Sequence, residues 1–430
     1  MAMMSISELI GWQAQRRPNH PALTFEHQTL SWLQLEQRTN RLARAYQQLG
    51  VEQDDRVTIA LANSIEFYEA AIAAWKPDSL PPRTSRYWKA PTSGGSTGRP
   101  KLIISEAPGT FDPEAPAFNM QLDRAHLVTG PLYHNGPFTV SMHALFAGNH
   151  IVVLPRFDPL RTLECIERYA IDYMMMVPTM MHRIWRLDED VRRGFDLSSL
   201  RVLLHMAAPC PSWLKAAWID WLGPDRIHEL YAGTEQQCAT WITGTEWLEH
   251  RGSVGKPLMG QIKILNESGE ELPAGEIGEV YMMPDTGPGS TYHYIGAEAQ
   301  RIDGWETLGD LGWLDDDGYL YLGDRQSDMI LRGGANIYPA EVEAAIDAHL
   351  KVRSSAVIGL QDEDLGARVH AIVNASETLR DEELLAHLVE RLVRYKIPES
   401  FEYVNEPLRG GDGKVRRSAL RATRIDPNRV

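Results

Sequence analysis

Between residues 127 and 230 the chain alternates short apolar runs with amphipathic ones. No other feature limits its fold class so tightly. Residues 127–129, 151–154, 173–177, 201–204 and 227–230 read as strands, and residues 160–169, 179–187 and 212–222 as helices between them. Strands separated by helices predict an α/β sheet. Upstream, Ser5 is placed to cap a helix to about residue 14, residues 22–25 read as a strand, and Ser31 caps a long helix ending at Gly50. Residues 56–60 read as a buried strand and 64–75 as a helix, before a Pro-, Ser- and Arg-rich stretch over 77–91. Segments 261–265, 278–282 and 319–322 are short and separated by turn residues, which adds a smaller β-rich portion. A second unit follows Gly323, with helices at 340–349 and 381–394, strands at 356–359, 369–373 and 401–404, and a basic tail. The expectation is an α/β multidomain protein. A large N-terminal domain over 1–323 contains α/β subdomains and the β-rich portion, 324–328 is a hinge, and 329–430 is a small mobile α+β C-terminal domain.

Composition narrows the partners. The 430 residues carry a net charge of −15, which disfavours nucleic acid and anionic membranes as general partners. An anionic ligand must then be held by local cations and backbone dipoles. No apolar run approaches a bilayer span, and the start of the chain does not read as a signal peptide. The three cysteines, Cys165, Cys210 and Cys238, fit no metal-ligand spacing and read as inert thiols in a reducing compartment, so a cytoplasmic location is expected.

Residues 92–101 read Thr-Ser-Gly-Gly-Ser-Thr-Gly-Arg-Pro-Lys. Glycines at 94, 95 and 98 let backbone N–H groups approach an anion, Thr92, Ser93, Ser96 and Thr97 donate hydroxyls, and Lys101 adds a charge. The run suits a polyphosphate clamp without the spacing of a Walker loop. The turn Tyr231-Ala232-Gly233-Thr234-Glu235 follows a strand. It either holds phosphate and Mg²⁺ through Thr234 and Glu235, or is a plain βα turn in which Thr234 caps the next helix. Asp310 after Gly309 is suited to two ribose hydroxyls, whereas Asp317-Gly318 reads as a hairpin turn. Arg325 is either a nucleotide ligand or part of a solvated linker. Gly333 and Gly334 fit close approach to a ligand or a tight turn, and Lys414 lies on either a mobile catalytic loop or a basic surface loop. The segments around His134 and Gly136 and around His205, Ala207 and Ala208 follow strands and are placed to line an acyl or nucleotide pocket.

The order of these elements resembles the adenylate-forming superfamily of acyl-CoA synthetases, luciferases and peptide-synthetase adenylation domains. The resemblance covers essentially the whole chain, including Gly-Gly-x-Asn-Ile-Tyr-Pro-x-Glu-Val-Glu at 333–343. It implies that residues 93–101 enclose the β- and γ-phosphates of ATP, that Thr234 contacts the α-phosphate, and that Glu235 binds Mg²⁺. It places Ala207, Ala208 and Tyr231 against adenine, Asp310 and Arg325 on the ribose, and His134, Gly136, His205 and Gly233 at the acyl pocket. Lys414 matches the lysine that bridges the acyl carboxylate and the α-phosphate. Ser327 falls at the hinge, and Gly333 and Gly334 line the CoA tunnel. The expected function is an ATP-dependent acyl-CoA ligase for a carboxylic acid. The expected acid is bulky or cyclic and not an α-amino acid, because 136–140 carries no acidic residue. The wording around the phosphate loop and His-Met-Ala-Ala-Pro resembles bacterial ligases of bile-acid and steroid-side-chain type. CoA is the expected acceptor and a homodimer the expected assembly.

Two departures stand out. Relatives carry several strands and helices between the helix matching 64–75 and the phosphate loop, a segment this chain nearly lacks after Lys76, and loss of it leaves apolar surface uncovered. Ser327 replaces a charged hinge residue. They leave two alternatives: thioester formation from a supplied acyl-adenylate, or a non-catalytic nucleotide or acyl sensor.

Overall fold

A computed structural model describes residues 3–76, 87–92, 101–325, 328–333, 335–362, 364–410 and 413–424. Strands Pro21–Phe25, His150–Val153, Ala125–Val128, Tyr173–Met176, Val202–Met206 and Ile227–Ala232 lie side by side in that order and pair in parallel. Ala125–Val128 and Tyr173–Met176 are buried at every position, as expected of parallel strands covered on both faces. Helices pack on them, and Trp32, Tyr68 and Trp218 are fully enclosed.

The sheet changes character after Ile227–Ala232. The next strand, Ala239–Thr243, pairs antiparallel with it, and Ser253–Met259, Leu320–Arg325, Trp305–Leu314, Gly278–Met283 and Gln261–Leu265 continue the path antiparallel. The next element after Glu235 is strand Ala239–Thr243, so the reading of Thr234 as a helix cap does not hold. Asp317 and Gly318 lie in the turn joining Trp305–Leu314 to Leu320–Arg325, with Gly318 at φ +83°.

The small C-terminal domain has its own core, which includes Ile337, Val342, Ile346, Val357, Ala371 and Leu388. Strands Val352–Asp362, Gly366–Ala375 and Ser400–Val404 form a separate sheet beside helices Pro339–Asp347 and Asp381–Val389. The expected helix over 381–394 stops at Val389, and the basic tail contains a short helix, Arg417–Ala422.

Two local expectations fail. Residues 56–60 form no strand, and Arg56, Thr58 and Ala60 are exposed. The segment finds no partner strand among the described residues, consistent with the short stretch between Lys76 and the 92–101 run. Conversely, Asn135–Phe146 is a helix that the sequence pattern does not predict. Its opening Asn-Gly-Pro carries a turn signal, although proline is well tolerated in a first helical turn.

The two domains meet through Arg186, at the end of helix Pro178–Trp185. Its guanidinium donates to the carbonyls of Asp347, His349 and Leu350 at 3.1, 2.8 and 2.8 Å. These carbonyls lie at and just beyond the end of helix Pro339–Asp347, where backbone acceptors lack intrahelical partners and the helix dipole favours a cation.

Candidate active site

The carboxyl ends of the parallel strands open into a cleft of about 2300 Å³. Ala125–Val128 lies between His150–Val153 and Tyr173–Met176, so the chain leaves it in one direction and returns on the other side. Ligands of open α/β sheets bind at such a switch point. The cleft is lined by the segments following four of these strands, at 130–137, 177–180, 207–211 and 231–236, and by residues 413–419 of the small domain.

One wall carries polar side chains. Ala207 sits at φ +73°, an unusual conformation for a residue with a Cβ, and Ala207 and Ala208 border the cleft beside Tyr231. The Tyr231 hydroxyl donates to Asp310 Oδ2 at 2.8 Å, and Asp310 stands opposite Arg325 in the backbone register of adjacent strands. Thr234 lines the cleft, and Glu235 is 6% exposed. Glu235 accepts from the Tyr294 hydroxyl at 2.6 Å and lies 3.8 Å from Lys101 Nζ, which rests over the Tyr294 ring. Burial and the neighbouring Glu235 push the Tyr294 phenol upward, keeping it a donor. Gly233 is tightly packed, because a Cβ there would come within 2.6 Å of Leu308 Cδ1 and 3.0 Å of Glu235 Oε2.

Thr92 bridges Leu102, and Thr92 and Lys101 both line the cleft. Ser93, Gly94, Gly95, Ser96, Thr97 and Gly98 lie outside the described residues, as do Ser327 and Gly334. Mg²⁺ commonly takes one or two protein carboxylates and completes its shell with phosphate and water. Glu235, a buried carboxylate beside the end of this loop, fits that demand. Among the described residues no group of three or more His, Cys, Asp or Glu forms a cage.

Lys414 reaches the cleft from the small domain. Its loop is closed by an Arg409–Val415 bridge, and Gly413, at φ +75°, packs against Val177 and Thr179. Glu343 anchors the loop from below, accepting from Arg409 at 3.0 Å and Arg417 at 2.9 Å. Sequence reading missed this anchor, since 66 residues separate Glu343 from Arg409. Gly333 is elsewhere, exposed at the turn of hairpin Ile330–Ile337, where its N–H donates to the Leu365 carbonyl.

The opposite wall is apolar. His134 and Gly136 line it at the start of helix Asn135–Phe146, with Gly136 facing Met175 and Met206. His205 does not reach the cleft. Side chains alternate along Val202–Met206, so Met206 faces the cleft and His205 is buried, with Nε2 3.8 Å from Glu229. Lys215 donates to that carboxylate at 2.6 Å, and burial lowers the His205 ring to about 4. Burial pushes the thiols of Cys210 and Cys238 upward, leaving them poor nucleophiles. No helix among the described residues is long and apolar enough to cross a membrane.

Comparison with known proteins supplies independent evidence. The AMP-binding enzyme family matches residues 10–78 and 91–291, and the AMP-binding enzyme C-terminal domain matches 341–414. The chain is 34% identical over 337 residues to 2-succinylbenzoate–CoA ligase of Bacillus licheniformis, covering 76% of this chain and 68% of that protein. It is 33% identical over 347 residues to feruloyl-CoA synthase of an Amycolatopsis species, with 76% and 68% covered. The solved o-succinylbenzoate CoA synthetase of Bacillus subtilis, in complex with its acyl-adenylate intermediate, has a TM-score of 0.80 at 24% identity, covering 98% of both chains. The anthranilate CoA ligase bound to anthranoyl-AMP reaches 0.81 at 20% identity, also covering 98% of each chain.

Proposed function

This chain belongs to the AMP-binding enzyme family, as an acyl-CoA ligase of the AMP-forming type, and on that premise we propose that it activates an aromatic or cyclic carboxylic acid. One observation carries the reading: Lys414 from the small domain enters the same cleft as Thr234, Glu235 and Asp310 from the large one. The acid's carboxylate attacks the α-phosphate of ATP and pyrophosphate leaves. Two anions must approach, and Lys414 offsets their repulsion. Glu235 would hold Mg²⁺, which when bound neutralises phosphate charge. Tyr231, Asp310 and Arg325 hold the nucleoside, and residues 92–101 hold the leaving phosphates.

The described arrangement is the adenylating one, with Lys414 inside the cleft and the Gly333 hairpin outside it. Rotation about 324–328 then withdraws Lys414 and brings the Gly333–Gly334 face to the acyl-adenylate, where the CoA thiol displaces AMP. The apolar wall around Gly136, Met175 and Met206 suits a ring better than a charged amino acid. The relatives above are named for 2-succinylbenzoate and ferulate, which favours aromatic acids over bile-acid and steroid types. A homodimer is part of the same proposal.

Pyrophosphate exchange across a panel of carboxylic acids, followed by thioester formation with CoA, tests this. Exchange with at least one aromatic or cyclic acid is expected. Turnover of a synthetic acyl-adenylate with CoA, without exchange for any acid, would refute adenylation and leave thioester formation alone.

A further inference from the structure

Lys89 is a lysine with 8% exposure in an aromatic enclosure. Its ammonium donates to Asn135 Oδ1 and Thr139 Oγ1, both at 2.7 Å, and sits 4.8 Å from the centre of the Trp88 ring. Asn135 and Thr139 are one turn apart on the cleft-facing side of helix Asn135–Phe146, and both line the cleft. Trp88, Phe111, Phe118 and His143 surround this end of it. Lys89 has no carboxylate partner among the described residues, unlike the buried Lys215, which has Glu229.

An enclosed ammonium held, among the described residues, by neutral oxygens is costly, because its hydration is lost without a compensating charge. Burial accordingly lowers Lys89 to about 7. His143 adds no negative charge, since burial, with Lys89 nearby, holds it neutral at about 3. The nucleotide-side groups Tyr231, Glu235 and Asp310 belong to different elements and are not partners of Lys89. Lys89 itself does not line the cleft, but both of its acceptors do, so a group bound against Asn135 and Thr139 lies beside the ammonium. An ammonium has three donors, and two are taken by Asn135 and Thr139.

We propose that Lys89 is a specificity-determining residue, which receives an oxygen acceptor on the acyl substrate, best a second carboxylate, distinct from the carboxylate that is adenylated. This rests on the ligase reading above. An acid lacking that group forgoes the ion pair that a second carboxylate forms with the protonated Lys89, a stronger discrimination than a change in apolar contact gives.

The test uses the full chain and matched acids: 3-phenylpropanoate against 3-(2-carboxyphenyl)propanoate, and cinnamate against 2-carboxycinnamate. Binding is followed by calorimetry in the presence of AMP, and turnover by pyrophosphate exchange. Wild type should bind the carboxy-substituted member of each pair at least tenfold more tightly. Lys89→Met should abolish that preference while changing affinity for the unsubstituted acid and KM for ATP less than about threefold, and Lys89→Arg should retain part of it. Equal or absent binding of paired acids by wild type, or equal losses for both in Lys89→Met, overturns the proposal. Exchange with unsubstituted acids alone would refute the Lys89 role and leave the ligase standing. A carboxylate preference in binding without exchange would do the reverse. An unchanged melting temperature in Lys89→Arg separates these outcomes from misfolding.

Discussion

Replacing Arg186 with alanine should separate the two half-reactions. Its guanidinium makes three hydrogen bonds to carbonyls of the small domain, at 2.8, 2.8 and 3.1 Å. A charge-assisted bond contributes about 1.5–3 kcal/mol when well shielded. Arg186 is half-buried, so about 1 kcal/mol each is the appropriate scale after allowing for solvent screening. The three together come to ~3 kcal/mol, or roughly a hundredfold change in the docked population. The docked arrangement is the one that places Lys414 in the cleft. Pyrophosphate exchange should therefore fall about 10- to 100-fold in Arg186→Ala, whereas thioester formation from a supplied acyl-adenylate should change less than about threefold. Arg186→Lys, which keeps the charge but loses the fork, should fall between. Stopped-flow single turnovers of each half-reaction measure both. Equal losses in the two, or no loss in exchange, would refute the view that Arg186 acts by docking.

Three further outcomes follow from the same geometry. Lys414→Ala should lower kcat for adenylation by at least about a hundredfold while moving the Kd for ATP only a few-fold, measured by exchange and by nucleotide titration. Gly233→Ala places a Cβ 2.6 Å from Leu308 Cδ1 and 3.0 Å from Glu235 Oε2, so KM for Mg·ATP should rise about tenfold and the thermal midpoint should fall by a few degrees. The buried rings of His126 and His205, lowered by burial to about 3 and about 4, are neutral in the native state, whereas in the unfolded chain they take up protons below about 6.5. Stability should thus fall as pH drops from 6.5 towards 4, and urea midpoints for His126→Phe should show a shallower fall than wild type.

Legibility in the sequence followed the range of the forces involved. Ser31 and Gln34 form a capping box three residues apart, and the helix Trp32–Gln48 was evident from its cap, apolar face and glycine stop. The strands around Ala125–Ala232 were evident for the same local reason. Helix Asn135–Phe146 was not, because its first residues carry a turn signal and its burial against the sheet is what holds it helical. On the nucleotide side, Tyr231, Thr234, Glu235, Asp310 and Lys414 stand in short motifs, and the fold brings them to one cleft. His205 is one residue from that cleft, but strand alternation turns it away. Lys89 carried no local signal, and Glu343 stood in the 333–343 motif without its anchoring role being legible, since their partners lie 46 or more residues off. Contacts of that separation come from topology, which no short window encodes.

Residues 56–61, Arg-Val-Thr-Ile-Ala-Leu, which pair with no strand among the described residues, bear on how the protein behaves in concentrated solution. The run has high β-propensity, one charge and no proline, the make-up of a segment able to stack into cross-β assemblies, and Thr58, Ala60 and Leu61 already face solvent in the folded molecule. Other proteins reveal such segments only on unfolding. The guard against stacking is acidic: Glu52, Asp54 and Asp55 precede the run, all exposed, and the whole chain carries −15. Gatekeeping by charge is screened by electrolyte, with a Debye length near 10 Å at 0.1 M. Colloidal stability should therefore decline as ionic strength rises, and crystallisation or storage from high salt would favour fibres over ordered lattices.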